Sequence, residues 1–207
     1  FLQDLIALLK INSERNDEEA NREFPFGPGP SLAMLEFLKI AHKDGFKTEN
    51  FENYVGDVHY GQGEETLGIF VHADVVPAGQ GWTNPPYEQP TLREGRLYAR
   101  GVLDNKGPAL ATYYALKILK EAGVPFYKKV NFIIGTDEES GWKDMAYYLP
   151  KVQLPDFGFS PDARFPVVNG EKSNLTEYLH FGPKNAGNFI LHDFRSGEQE
   201  NCVPEEA

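Results

Sequence analysis

The chain carries a single cysteine, Cys202, among 207 residues. One thiol cannot close an internal disulfide, so the expected compartment is a reducing cytoplasm. Positive charge is also scarce: 20 Lys and Arg stand against 31 Asp and Glu, a formal net charge of −11. So acidic a balance argues against nucleic acid and anionic membranes as partners, because both require a basic surface. No apolar run approaches the roughly 20 residues of a membrane-spanning helix. The opening Phe1-Leu2-Gln3-Asp4-Leu5 reads as an amphipathic helix and not as a signal peptide. The chain shows no internal repeat or low-complexity tract, and with no methionine at its start, further residues are expected ahead of Phe1. Apolar residues, by contrast, are plentiful. At 41% hydrophobic and 13% aromatic the chain can bury a core, and its length suits one domain or a domain and a half.

Hydrophobic periodicity lays out the elements. Phe1, Leu2, Leu5, Ile6 and Leu9 predict a helix to about Lys10, and residues 12–30, polar and rich in Gly and Pro, read as a loop. A second helix is expected from an N-cap at Ser31 to about Lys43, stopped by Gly45. Val55–Tyr60 and Leu67–His72 read as strands, and Pro77–Pro90 as a long loop. Thr91–Arg93 and Arg96–Ala99 make a hairpin turning at Glu94-Gly95. A helix opens near Pro108 and ends before Gly123, followed by a buried strand, Val130–Ile134. Trp142, Met145, Ala146 and Leu149 form the apolar face of the next helix, stopped by Pro150, and Asp156–Phe159 is a short strand. Helices alternating with buried strands predict an α/β fold, a mixed and mainly parallel central sheet flanked by helices. From Leu175 the character changes to two strands without a helix between, Leu175–Phe181 and Asn188–Phe194. A boundary near Ser173 therefore divides a first domain, 1–173, from the start of a second α+β domain, 174–207.

Four polar clusters follow apolar segments. In His72-Ala-Asp74-Val-Val-Pro77, an imidazole and a carboxylate two positions apart share one face at a strand end. Asp74 can partner the second ring nitrogen of His72; a structural histidine is the plainer alternative. Asp104, in Arg100-Gly-Val-Leu-Asp-Asn-Lys-Gly107, stands just ahead of a helix, where ligands gather in open α/β sheets. It can bridge two cations or merely cap the helix. Asp137-Glu138-Glu139 follows the strand 130–134 directly, where three adjacent acids repel unless cations or water compensate. One glutamate can bind metal while its neighbour serves as the base for a metal-bound water. Asp162, in Ser160-Pro-Asp162, follows a short apolar segment and alternatively forms an Asx-type turn. His72, Asp104, Glu139 and Asp162 supply nitrogen and oxygen without sulfur, a set that suits zinc, with manganese or cobalt as alternatives. The glycines at 101 and 107 lack the remainder of a phosphate-binding Gly-x-x-x-x-Gly-Lys-Ser/Thr loop.

Taken in order, His72-x-Asp74-Val-Val-Pro77, Gly101-Val-Leu-Asp104-Asn-Lys-Gly107, Asp137-Glu138-Glu139-Ser-Gly141 and Ser160-Pro-Asp162 resemble the dinuclear zinc exopeptidases of the aminoacylase, carboxypeptidase and carnosinase type. The longer strings Gly135-Thr-Asp-Glu-Glu-Ser-Gly-Trp-Lys-Asp144 and Pro155-Asp-Phe-Gly-Phe-Ser-Pro-Asp162 are similar to bacterial dipeptidases of the peptidase V group. The resemblance implies a metal-dependent dipeptidase acting on short peptides with two zinc ions. Asp104 would bridge the metals, with a cis peptide to Asn105. His72 and Asp162 would complete the first site and Glu139 would bind the second. Glu138 would be the general base acting on a metal-bridging water, Asp74 would orient His72, and Asn201 would contact substrate from the lid domain.

The resemblance also implies a returning C-terminal catalytic segment with one more histidine ligand. His180 and His192 stand in no matching context and read as strand residues without a metal role. The chain is therefore expected to be part of a longer protein, with a second metal site that is weak or empty in these residues alone. Two other readings remain: an N-acyl amino acid deacylase or desuccinylase of the same chemistry, and a metal-binding fragment without turnover.

Overall fold

A computed structural model describes residues 1–163, 166–170, 175, 177–180 and 182. The chain divides into two units, Phe1–Ala163 and Arg164–Ala207. The first contains helices α1 (Leu2–Leu9), α2 (Pro28–Lys43), α3 (Lys106–Glu121) and α4 (Lys143–Tyr148). Its strands are β1 (Lys47–Phe51), β2 (Val55–Tyr60), β3 (Thr66–His72), β4 (Thr91–Arg93), β5 (Arg96–Tyr98), β6 (Lys129–Gly135) and β7 (Phe157–Phe159).

Five strands form one sheet in the order β1-β2-β6-β3-β7. β1 and β2 pair antiparallel, as do β2 and β6, while β6, β3 and β7 are mutually parallel. Every strand but β2 thus points the same way, the mixed and mainly parallel sheet expected. Parallel strands are buried on both faces and read as apolar runs, which is why Ile69, Val71, Phe132 and Ile134 sit in the interior. The apolar stripes of α1, α2 and α3 cover one face, with Leu8, Met34, Phe37, Leu110 and Tyr113 packed against Val58 and Phe132. Full burial of such a side chain contributes roughly 1.5–3 kcal/mol. The opposite face holds a smaller cluster, Val55, Ile133, Met145 and Tyr148, under α4. The hairpin β4–β5 stands apart as a two-stranded sheet, and Glu94 and Gly95 at its turn both have positive φ, 52° and 75°.

Four expectations change. α2 starts at Pro28, with Gly27 at the cap and Ser31 inside the helix, its hydroxyl donating to the Asn53 carbonyl at 3.3 Å. Prolines are tolerated in a first turn because an N–H there has no intrahelical partner. Trp142 is the left-handed cap of α4, φ 54°, and is 55% exposed. The helix begins one residue later and turns Asp144, Met145 and Tyr148 inward, leaving Ala146 and Leu149 outside. β1 was not expected, since Lys-Thr-Glu-Asn-Phe has no apolar alternation; it is an edge strand with an exposed pattern. Leu175 and residues 177–180 are described and lie in no strand. A strand needs a ladder partner, and the one expected, Asn188–Phe194, lies outside the described residues, as do His192, Asn201 and Cys202.

Candidate metal centre

The parallel strands β6, β3 and β7 release their loops at one end of the sheet, past their C-terminal residues. His72, the last residue of β3, pairs with Gly135, the last residue of β6. Asp74 therefore follows β3 at the same level where Asp137-Glu138-Glu139 follow β6, and Asp162 leaves β7 beside them. Asp104 comes from the loop entering α3, joined to Asn105 by a cis peptide, as the resemblance implied. Close approach shapes that loop: Gly107 donates its N–H to the Gly101 carbonyl at 3.3 Å, and a Cβ there would overlap the Val102 carbonyl.

The His72 ring is buried and fixed from behind. Its Nδ1 lies 3.0 Å from the Asp74 carbonyl and 3.4 Å from Asp74 Oδ1. A carbonyl can only accept, so Nδ1 carries the proton donated to it, and Nε2 faces the opposite way. Around Nε2 gather Asp162 Oδ2 at 3.0 Å, Asp104 Oδ1 at 3.1 Å and Glu138 Oε2 at 3.8 Å. The Asp74 carboxylate also accepts the Glu139 N–H at 3.0 Å through Oδ2, joining the loops after β3 and β6. From below, Asp144 Oδ2 accepts the N–H groups of Thr136 and Asp137 at 2.8 and 3.1 Å.

Two triads present ligand atoms within 4.8 Å of one another: His72, Asp104 and Asp162, and His72, Glu138 and Glu139. The first is the set expected for one metal. The second draws in Glu138 with Glu139, while Asp104 and Glu139 enter different triads.

Electrostatics favour a cation here. In the metal-free protein, burial pushes Glu138 up to about 7, with the Asp74, Asp162 and Asp104 charges adding to it and His72 opposing. Burial likewise raises Glu139 to about 7, reinforced by Asp104. Burial alone would lower His72, but its contacts with Asp104, Asp162 and Asp74 outweigh this and hold it well above its ordinary value. The same imidazole keeps Asp162 below the usual carboxylate range despite burial. Glu139 Oε1 and Asp74 Oδ1 are buried without a hydrogen-bond partner among the described residues. Unpaired buried lone pairs are costly, and the hard oxygen donors with one imidazole fit a divalent cation such as zinc.

Sequence reasoning missed the supports of this centre. Asp144 and Asp137 are both buried, and Arg15 reaches Asp137 from a loop read as a plain connector. The only signal for them was acid density around Asp137, which does not say which carboxylate faces inward.

A model of peptidase family M20/M25/M40 matches residues 68–200. A Beta-Ala-Xaa dipeptidase of Lactobacillus delbrueckii subsp. lactis is 46% identical over 99% of this chain, which spans 44% of that protein's length. Among solved structures, an M20 family metallo-carboxypeptidase from Sulfolobus solfataricus superposes with a TM-score of 0.62 at 23% identity, covering 77% of this chain and 36% of that one. Human carnosine dipeptidase 1 superposes at 0.60 with 21% identity, over 77% of this chain and 37% of that one. At such identities the structural likeness concerns the fold. With nearly two thirds of its residues matched by the family model and a relative at 46% identity, the chain belongs to peptidase family M20/M25/M40.

Proposed function

We propose that the full-length protein is a metal-dependent dipeptidase that hydrolyses the peptide bond of short peptides, working in the cytoplasm. The observation that carries this reading is the convergence of Asp104, Asp162 and Glu138 on His72 Nε2 at the C-terminal end of the parallel strands. The dipeptidase assignment, as opposed to another amide hydrolase, is supported by the Beta-Ala-Xaa dipeptidase relative.

In this reading His72, Asp104 and Asp162 would hold one zinc ion, and Asp104 and Glu139 would hold a second. Bound cations supply Lewis acidity, polarising the scissile carbonyl and lowering the pKa of water. Glu138 then acts as the general base that takes a proton from the attacking water and returns it to the leaving amine. A carboxyl raised by burial suits both halves of that exchange, since its affinity for the proton is intermediate near neutrality. Asp74 fixes the His72 ring through Nδ1 and holds the backbone of Glu139.

The test compares dipeptides with N-acetyl and N-succinyl amino acids as substrates of the full-length zinc-loaded protein. Dipeptide hydrolysis with kcat/KM at least about tenfold above that for the N-acyl substrates is expected. The opposite order transfers the site to a deacylase, and no turnover of either class removes the hydrolase reading.

A further inference from the structure

By composition the segment after α1 is a connector, yet its first residues run alongside the site. Ser13 Oγ donates to the Ala73 carbonyl at 2.7 Å, and the Val75 N–H donates to the Ser13 carbonyl at 3.2 Å. Glu14 forms a parallel bridge with Val75, and its Oε1 accepts from the Ala78 N–H at 2.9 Å and the Tyr87 hydroxyl at 2.7 Å. These bonds fasten the segment to the loop that follows His72.

Arg15 then turns to the other loop. Its Nη1 donates to Asp137 Oδ1 at 2.6 Å, and its Nε donates to Asp17 Oδ1 at 2.8 Å. The guanidinium also lies 5.3 Å from the centroid of the Phe26 ring. Asp17 and Phe26 belong to Arg15's own loop, so the cation is held ready from its own side.

Asp137 is the spine of the turn that bears both glutamates. Its carbonyl accepts the Trp142 N–H at 2.9 Å, and its Oδ2 accepts the Lys143 N–H at 3.0 Å. The side chain is fully buried, and Arg15 is its ion-pair partner among the described residues. A buried carboxylate without its cation would swing toward water. That movement displaces the next two residues in the chain, Glu138 and Glu139.

We propose that Arg15 is a positioning residue, whose guanidinium, braced by Asp17 and Phe26, holds Asp137 and thereby sets where the carboxylates of Glu138 and Glu139 stand. This rests on the metal-dependent peptidase reading above. Lysine cannot substitute fully, because a point charge lacks the planar fork that meets two acids and a ring together.

The test uses the full-length protein and its R15M, R15K, D137N and R15M/D137N variants. It measures dipeptide kcat and KM, zinc affinity by calorimetric titration, and thermal unfolding. For R15M, kcat should fall about 10²-fold, the scale of a 1 Å misplacement. KM should stay within about threefold, and zinc affinity at the weaker site should drop roughly tenfold. R15K should recover part of both losses. In the D137N background R15M should add less than about threefold, because Arg15 acts through that carboxylate. A folded R15M with lowered melting temperature but wild-type kcat and zinc affinity overturns the proposal, as do fully additive losses. If the wild type cleaves no dipeptide, the functional reading fails and the zinc titration still decides: unchanged affinity in R15M overturns the role of Arg15. If R15M does not fold, R15K with wild-type kcat and zinc affinity overturns it.

Discussion

Burial raises Glu138 and Glu139 from an ordinary value of 4.5 to about 7 in the metal-free protein. Between those values the native state retains protons that the unfolded chain has released. Stability from these groups is therefore complete below pH 4.5 and is lost as pH rises through 7. His72, held above its usual 6.5, acts with the same sign, its contribution present below 6.5 and lost through its higher folded value. The melting temperature of metal-free protein should accordingly fall from pH 5 to 7, and the E138Q/E139Q double variant should flatten that slope in a thermal-shift series. Zinc reverses the order, because ligands must shed protons to bind it. Calorimetry in buffers of different ionisation enthalpy should record proton release, with affinity increasing from pH 6 to 8. Glu138→Ala should lower kcat about 10²–10⁴-fold, the usual contribution of a general base, while zinc content stays near that of the wild type by elemental analysis. His72→Ala should instead deplete zinc. The clustering of these residues could be read from the chain because each follows an apolar segment and offers an oxygen or imidazole donor. Arg15 could not, since nothing in Ser-Glu-Arg-Asn marks a partner 122 positions away.

Secondary elements with strong periodicity were legible and the rest were not. The apolar runs of β3 and β6 and the stripe of α3 fall where the pattern places them, because burial on both faces or along one face leaves a clear period. β1 escaped because an edge strand with an exposed pattern owes its place to pairing with β2, which no local pattern records. In α4 the helical phase was misjudged because Asp144, a polar residue, is the inward one; it is spent on the backbone N–H groups of Thr136 and Asp137. The entry to α3 offers a test at this scale. Gly107 lets the helix start against the Val102 carbonyl, so Gly107→Ala should destabilise by about 1–3 kcal/mol in urea titration, the range for forced overpacking. Zinc affinity should fall with it, because Asp104 lies in the displaced loop.

As a whole molecule, the chain spans 44% of the Beta-Ala-Xaa dipeptidase it resembles. Among the described residues β7 is an edge strand, and Phe157 and Phe159 are 42% and 47% exposed. Open edges with apolar side chains promote self-association. The 207-residue chain should therefore sediment with a concentration-dependent mass, and Phe157→Lys should shift it toward 23.3 kDa. No helix among the described residues is long and apolar enough to cross a membrane, in line with the acidic, charge-rich composition. The central claim remains one of convergence: loops from three parallel strands and the entry to α3 meet around a divalent cation. An anomalous difference map at the zinc edge, from crystals of the full-length protein grown with zinc, tests it most directly. The account predicts a peak about 2.0–2.2 Å from His72 Nε2 and from carboxylate oxygens of Asp104 and Asp162. Saturating zinc with no peak there, or a peak on other residues alone, would contradict it.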